Sequence, residues 1–395
     1  MIKDVYLTGG TRTAIGSFGG AFENTPAPVL GSAVVKAALA RAHVQPRDVD
    51  EVIFGNVVGA GLGQNVARQV SIGAGLGPDI GATTVNKVCG SGLKAVMFAA
   101  QAIQCGDASM VVAGGTENMS RAPYLLEKAR SGYRMGNGEL VDSMIRDGLW
   151  DVYNNVHMGM CGDRCAEKYG FTRQQQDDFA VTSFKRAIAA ANEKRFADEI
   201  EPIQVKAGRE TVTVAEDENP KKFNEEKLRK IRPAFGEKGT ITAGNASSIN
   251  DGAAALVVVS GEKVKSLGLK PQAKILGYAT FSREPEWFTL APVGAIDKLL
   301  KSLSLQVRDV GLFEINEAFG VVVMAAMKEL SIPHEKVNVY GGAVALGHPI
   351  GASGARTLVT LINAMKHRGA RVGVDVLCIG GGEAVAMAVE LCDGK

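Results

Sequence analysis

The sequence carries little net charge: 44 Lys and Arg against 42 Asp and Glu leave +2 over 395 residues. That balance excludes a broadly nucleic-acid-binding surface, so an anionic ligand has to be met by a local patch. Any apolar run near the roughly 20 residues that span a bilayer is also missing, so no membrane insertion is expected. The six cysteines (Cys89, Cys105, Cys161, Cys165, Cys378 and Cys392) lack the dense, regular spacing of a disulfide framework. Cys161 and Cys165 stand four apart without further ligand types beside them; they read as core, and no metal is expected. The chain opens on a strand-like run with no basic stretch and apolar signal core, and Cys392 to Lys395 form no peroxisomal tail. A reducing, cytoplasmic location is therefore the expectation. No P-loop or dinucleotide fingerprint is present.

What is abundant is glycine, 48 residues, mostly at the ends of apolar runs, where α/β proteins make tight turns. Strand-like segments at Asp4 to Thr8, Glu51 to Phe54 and Met110 to Ala113 alternate with helical spacing at Val29 to Arg41 and from Leu93 to Ile103. Such alternation predicts a mostly parallel sheet covered by helices. From Arg121 to Asn245 the pattern changes to an amphipathic helix from about Thr172, a hairpin around AGRE and a charged tract, which reads as an insertion.

The alternation then resumes and the chain repeats itself. Arg47-Asp48-Val49 recurs as Arg308-Asp309-Val310, Cys89-Gly90-Ser91-Gly92 falls on Gly351-Ala352-Ser353-Gly354, and VVAGG (Val111 to Gly115) answers LCIGG (Leu377 to Gly381). The order is conserved between the copies at a spacing of roughly 260 residues, which marks a duplication. The expected architecture is α/β, two similar halves related by a pseudo-twofold and packed face to face. The first half comprises 1–120 plus 246–270, the inserted loop domain 121–245, and the second half 271–395.

Within this frame four polar residues sit at predicted strand ends or helix starts, where open α/β sheets bind ligands. Cys89 lies in VNKVCGSGLKA, just before a nearly all-apolar helix whose unpaired N–H groups favour a thiolate. Asn316 ends a strand in NEAF, His348 lies in GGAVALGHPIGASGAR, and Cys378 ends a strand in CIGGG. Taken singly, each has a structural reading: Asn316 as a helix cap, His348 as a turn residue, the cysteines as core. Taken together they point to one site.

The blocks VNKVCGSGLKA, GGTENMS, AGNAS-x-INDGAA, NEAFG, GGAVALGHPIGASGAR and CIGGG, in this order, make the sequence similar to the thiolase family, and within it to the biosynthetic acetyl-CoA acetyltransferases. The resemblance implies a thiolase-like fold and a reversible Claisen condensation of two acetyl-CoA to acetoacetyl-CoA and CoA. In it Cys89 carries the acyl group, activated by His348, and Cys378 moves the substrate α-proton. It assigns one oxyanion hole to His348 with a water held by Asn316, and another to the backbone N–H groups of Cys89 and Gly380. It also implies a pantetheine tunnel lined by Leu149, His157, Met158, Phe235, Ala243, Ser247, Ala318 and Phe319, with Arg229, Lys230 and Arg232 near the CoA phosphates or adenine. For that basic run a solvated helix face is the alternative, because Glu225 and Glu226 adjoin it. No cofactor is implied, the CoA thioesters being substrates; the family's dimers and tetramers imply a homo-oligomer. Three departures bear on substrate choice: Glu383-Ala384 after CIGGG, Trp287-Phe288 where short-chain members carry a methionine-containing loop, and Ser248 in place of glycine. A degradative 3-ketoacyl-CoA thiolase for longer chains, and a non-catalytic acyl-CoA-binding protein of the same fold, are the alternatives.

Overall fold

A computed structural model describes residues 3–392; the tail residues Asp393 to Lys395 lie outside it. Nine strands form the main sheet: β1 (Val5–Arg12), β2 (Glu51–Gly55), β3 (Gly81–Val85), β4 (Met110–Asn118), β5 (Asn250–Ser260), β6 (Ala273–Ser282), β7 (Leu312–Ile315), β8 (Val372–Ile379) and β9 (Glu383–Leu391). The short Gly16–Ser17 strand pairs with β5. Spatial order is β7-β8-β9-β6-β1-β5-β4-β2-β3.

The duplication is visible in that order. In the first half β1, β5, β4 and β2 are neighbours, antiparallel, antiparallel and parallel in turn. In the second, β6, β9, β8 and β7 follow the same sequence of directions. The sheet is thus mixed, not mostly parallel, because β5 and β9 return beside β4 and β8 as antiparallel hairpin partners. The halves also join edge to edge, through the short antiparallel contact of Tyr6 and Leu7 in β1 with Lys274 and Ala273 in β6.

Register corrects one part of the repeat. Gly55 pairs with Gly115, and Ile315 pairs with Val376, each one residue before an asparagine, Asn56 or Asn316. Gly115 therefore corresponds to Val376, and Glu117 to Cys378. The match of VVAGG to LCIGG is a coincidence of strand-end glycines, which serve different ends. A Cβ at Gly115 would come within 2.0 Å of the Gly351 carbonyl, whereas Gly381 and Gly382, at φ 92° and 87°, make the tight turn between β8 and β9.

Helices α1 (Ala27–Ala42), α2 (Ser91–Cys105), α3 (Ala291–Ser302), α4 (Gly320–Leu330) and α5 (Ile350–Arg368) complete the halves. Helix α1 covers β1 and β5 on one outer face, and α3 covers β6, β8 and β9 on the other. Helices α2 and α5 lie between the halves, in contact with strands of both. This middle layer is why α5 is buried along nearly its whole length, from Ile350 to Met365.

The 121–245 segment contains the Met158–Tyr169 and Arg173–Asn192 helices, which pack on α4 and the short Ala343–Leu346 helix. Thr172 caps the second of them through a capping box with Gln175. Its buried face runs through Ala180, Ser183, Ala187 and Ala190, and Ser183 donates to Glu317 at 2.7 Å. The hairpin pairs Ile203–Ala207 with Glu210–Val214. Among the described residues no helix is long and apolar enough to cross a membrane, and no group of His, Cys, Asp and Glu could hold a metal.

Candidate active site

The Cys89 loop follows β3, the strand at one end of the sheet, and precedes α2. Its geometry is tense: Val88, a β-branched residue, has φ +46°, in the left-handed region that such residues avoid. The turn is held by Ser91, whose hydroxyl accepts from the Lys87 N–H at 2.8 Å and donates to the Val88 carbonyl at 2.7 Å. Cys89 is half-buried beside an apolar cluster of Val57, Val58, Met119, Met144 and Ile350, with Leu149 also packed on it. Burial pushes its thiol up to about 11, and the N–H groups of Gly380 and of Cys89 itself pull the other way. The expectation of a resting thiolate is corrected accordingly: at this helix start desolvation outweighs the N–H groups, and Cys89 rests as a thiol.

Its neighbours belong to the second half. A Cβ on Gly90 would meet Ile379 at 2.4 Å, and one on Gly380 would lie 3.8 Å from Val88. Cys378, at the end of β8, is fully buried; burial, and then the Cys89 sulfur, hold its thiol well above the ordinary range. The Cys89 turn and the CIGGG turn thus touch.

Asn316 directly follows β7, and its N–H donates to the Val376 carbonyl at 3.0 Å. It caps no helix, since α4 begins at Gly320 with Phe319 at the cap position. Its amide nitrogen lies 3.4 Å from His348 Nε2, and its Oδ1 is buried without a hydrogen-bond partner. On the other side of the ring, His348 Nδ1 lies 2.6 Å from Ser353 Oγ, which donates to the Pro349 carbonyl at 2.9 Å. A hydroxyl has one proton to give, and with it committed to Pro349, Ser353 accepts from His348 Nδ1–H. The lone pair is then on Nε2, facing Asn316. Burial, helped by the Arg356 charge, lowers His348 to about 3, so the imidazole is neutral at working pH. The His348 N–H donates to Asn250 Oδ1 at 3.0 Å, and the same oxygen accepts from Ser248 at 2.8 Å. Ser248 thus braces the histidine loop.

Cys378 shares an apolar cluster with Met158, Phe288, Ala318 and Phe319, on which Phe235 and Trp287 pack. His157 stacks on Phe235 with ring centres 4.4 Å apart, and Phe235 meets Phe319 edge-on at 6.3 Å. Ser247 donates both its N–H and its hydroxyl to the Ala318 carbonyl at 3.0 Å. Leu149 stands on the Cys89 side. Ala243 is an exposed turn residue just before this wall. Arg229 is exposed on the short Glu225–Lys230 helix, where it pairs with Glu225 at 2.8 Å and Asp178 at 2.7 Å, and Lys230 pairs with Glu226. Its charge is met by carboxylates, as on a solvated helix face.

Sequence reasoning did not single out Ser353, Asn250 or Glu117. Glu117 accepts from the N–H groups of Val57, Val58 and Gly351 and from Asn56, so one carboxylate ties both halves behind the site; burial nevertheless raises it to about 7. For Ser353 the signal was present, since it is the repeat partner of Ser91.

Two family descriptions match the chain, the thiolase N-terminal domain over residues 5–262 and the thiolase C-terminal domain over 269–391. Acetyl-CoA acetyltransferase 2 of Arabidopsis thaliana is 54% identical over 392 residues, covering 98% of this chain and 97% of its own. The acetyl-CoA acetyltransferase of Escherichia coli K12 is 50% identical over 391 residues, covering 98% and 99%. The crystal structure of the Bacillus anthracis acetyl-CoA acetyltransferase superposes with a TM-score of 0.97 at 40% identity, covering 99% of each chain. A thiolase from Ascaris suum in complex with coenzyme A superposes at 0.94 and 44%, covering 99% and 100%. Sequence, duplicated fold and both halves of the site agree, and the chain belongs to the thiolase family.

Proposed function

We propose that this chain is an acetyl-CoA C-acetyltransferase, which condenses two acetyl-CoA to acetoacetyl-CoA and CoA through an acetyl thioester on Cys89, and runs in reverse as thiolysis. The observation that carries this reading is the contact between the Cys89 turn and the CIGGG turn, with a neutral His348 tethered nearby by Asn316, Ser353 and Asn250.

The proton states give a balanced cycle. His348 Nε2 takes the Cys89 proton as the sulfur attacks the acetyl carbon, so neither a free thiolate nor a free imidazolium is needed beforehand. The bond from carbon to the CoA sulfur breaks, and CoA leaves with the proton of Cys378. Cys378, now a thiolate, removes an α-proton from the second acetyl-CoA. Burial that raises a thiol's pKa makes its thiolate the stronger base, which is what an α-proton demands. His348, now carrying Nε2–H, donates to the enolate oxygen, and the unpartnered Asn316 Oδ1 suits the holding of a water there. The enolate carbon attacks the acetyl group on Cys89 while the N–H groups of Cys89 and Gly380 receive the oxyanion. The Cys89 sulfur leaves and recovers its proton from His348. Every proton is returned, and no cofactor beyond the thioester substrates is required.

Phe288 and Phe319 beside Cys378 and Met158 favour a short acyl chain. Activity falling from C4 to longer 3-ketoacyl-CoA substrates checks this. A site that runs on two thiols suits a reducing, cytoplasmic location. A homo-oligomer, dimer or tetramer, is supported by the end strand β3 and by exposed Tyr124, Met135 and Leu140, and light scattering tests it. For the reaction itself, radiolabelled acetyl-CoA labels Cys89; full condensation activity in Cys89→Ser overturns the assignment.

A further inference from the structure

We propose that Lys87 and Glu383 form a positioning clamp that holds the Cys89 turn against the Gly380 turn. Lys87 Nζ lies 2.6 Å from Glu383 Oε2, with the two side chains 21% and 34% exposed. The two residues belong to different halves. Lys87 stands two residues before the nucleophile; Glu383 is the first residue after the three glycines, in register with Ile379 across the hairpin. The second carboxylate oxygen of Glu383 accepts from the Ser282 hydroxyl at 3.2 Å, which fixes the acid to β6.

The need for such a clamp follows from the backbone on either side. Val88 is held in a conformation its side chain opposes, and a strained residue persists only when its surroundings over-determine it. Ser91 restrains the turn from the helix side. On the strand side Asn86 Oδ1 accepts from the Val88 N–H at 3.0 Å within the turn itself, and the partner from the other half is Glu383. Across the contact, Gly381 and Gly382 give the turn bearing Gly380 little stiffness of its own. The N–H groups of Cys89 and Gly380, both directed at the Cys89 sulfur, come one from each of these two turns. An oxyanion hole split between two such turns keeps its geometry only if they are tied together, and misplacement by about 1 Å can cost roughly a hundredfold in rate. Lys87 and Glu383 are positioning residues and touch no reacting atom.

The inference rests on the proposed reaction, and the experiment separates the two. Acetyl-Cys89 formation from acetyl-CoA is followed by quenched-flow mass spectrometry, beside steady-state condensation, for the native protein, Glu383→Gln, Lys87→Met, Lys87→Arg and the exchanged pair Lys87→Glu/Glu383→Lys. Arg371→Gln, which breaks the Arg371–Glu390 pair at the far end of the same hairpin, is the control. The clamp predicts that Glu383→Gln and Lys87→Met each lower kcat about tenfold with KM for acetyl-CoA within about twofold and the melting temperature nearly unchanged. It also predicts that Lys87→Arg and the exchanged pair recover most of the rate and that Arg371→Gln is silent. Native kcat in Glu383→Gln, or an exchanged pair no better than its worse single variant, overturns the clamp. A native protein that never acetylates Cys89 overturns the clamp and the proposed reaction together.

Discussion

The two hairpins that return beside the central strands are the instructive comparison. In the second half β8 and β9 are joined by Gly380 to Gly382 alone; in the first, β4 and β5 are separated by residues 119–249. The short link places a backbone N–H beside the nucleophile. The long one supplies Leu149, His157, Met158, Phe235 and Ser247, the wall against which the substrate arm is proposed to lie. One scaffold was thus used twice, once to make chemistry and once to make a surface. The same division appears at Glu117 and Cys378, equivalent by register, one anchoring the halves and the other acting as base in the proposed cycle.

The sharpest way to test that division is to remove one sulfur at a time. Cys89→Ala is expected to lose acetylation and at least on the order of 10⁴ in turnover. Cys378→Ala should still acquire an acetyl group on Cys89, more slowly because the departing CoA loses its proton donor, but not condense it, visible as a stable mass increase on the intact protein.

A second test sets Glu117 against His348 by pH. With its carboxyl raised from 4.5 to about 7, native Glu117 keeps a proton that the unfolded chain has lost across that window. Its contribution to stability therefore falls as pH rises from 4.5 to 7, by about 3 kcal/mol in all. His348, lowered from 6.5 to about 3, has the opposite sign, and its contribution rises with pH between those values. Subtracting Glu117→Gln and His348→Gln urea-unfolding curves from the native curves across pH 4 to 8 separates the two slopes.

The repeated serines give a third comparison. Ser91 braces a backbone turn, and Ser353 braces an imidazole. Ser91→Ala and Ser353→Ala should each slow acetylation about tenfold. Only Ser353→Ala should alter the His348 tautomer, read from ¹⁵N shifts of the ring. The smallest expected effect is at the duplicated turns, where Gln45 with Asp48 and Gln306 with Asp309 form the same capping box. Asp48→Ala and Asp309→Ala should each cost less than about 1 kcal/mol in thermal unfolding, and by similar amounts.

Much of this was legible in the sequence, since the helical spacing after Cys89, the Thr172 cap and the doubled Arg-Asp-Val segment each state a local rule that the fold obeys. Strand direction was not, because β5 and β9 read as apolar runs whichever way they point. Nor was the third part of the repeat, where glycines that matched by letter proved to differ in register. The four site residues stood at element ends and could be found there. Their proton states could not, because burial of Cys89 and His348 depends on contacts from the other half.

Those contacts trace back to bare backbone. Where α2 and α5 cross between the halves, a Cβ on Gly354 would lie 2.3 Å from the Leu93 nitrogen and one on Gly92 2.7 Å from the Ala355 nitrogen, and Gly92 and Gly354 hold equivalent places in the repeat. At this pivot no side chain exists to be traded, lengthened or softened. The two copies are therefore locked to a shared fate: neither can acquire bulk there without prising its sibling, and the reaction vessel between them, out of alignment.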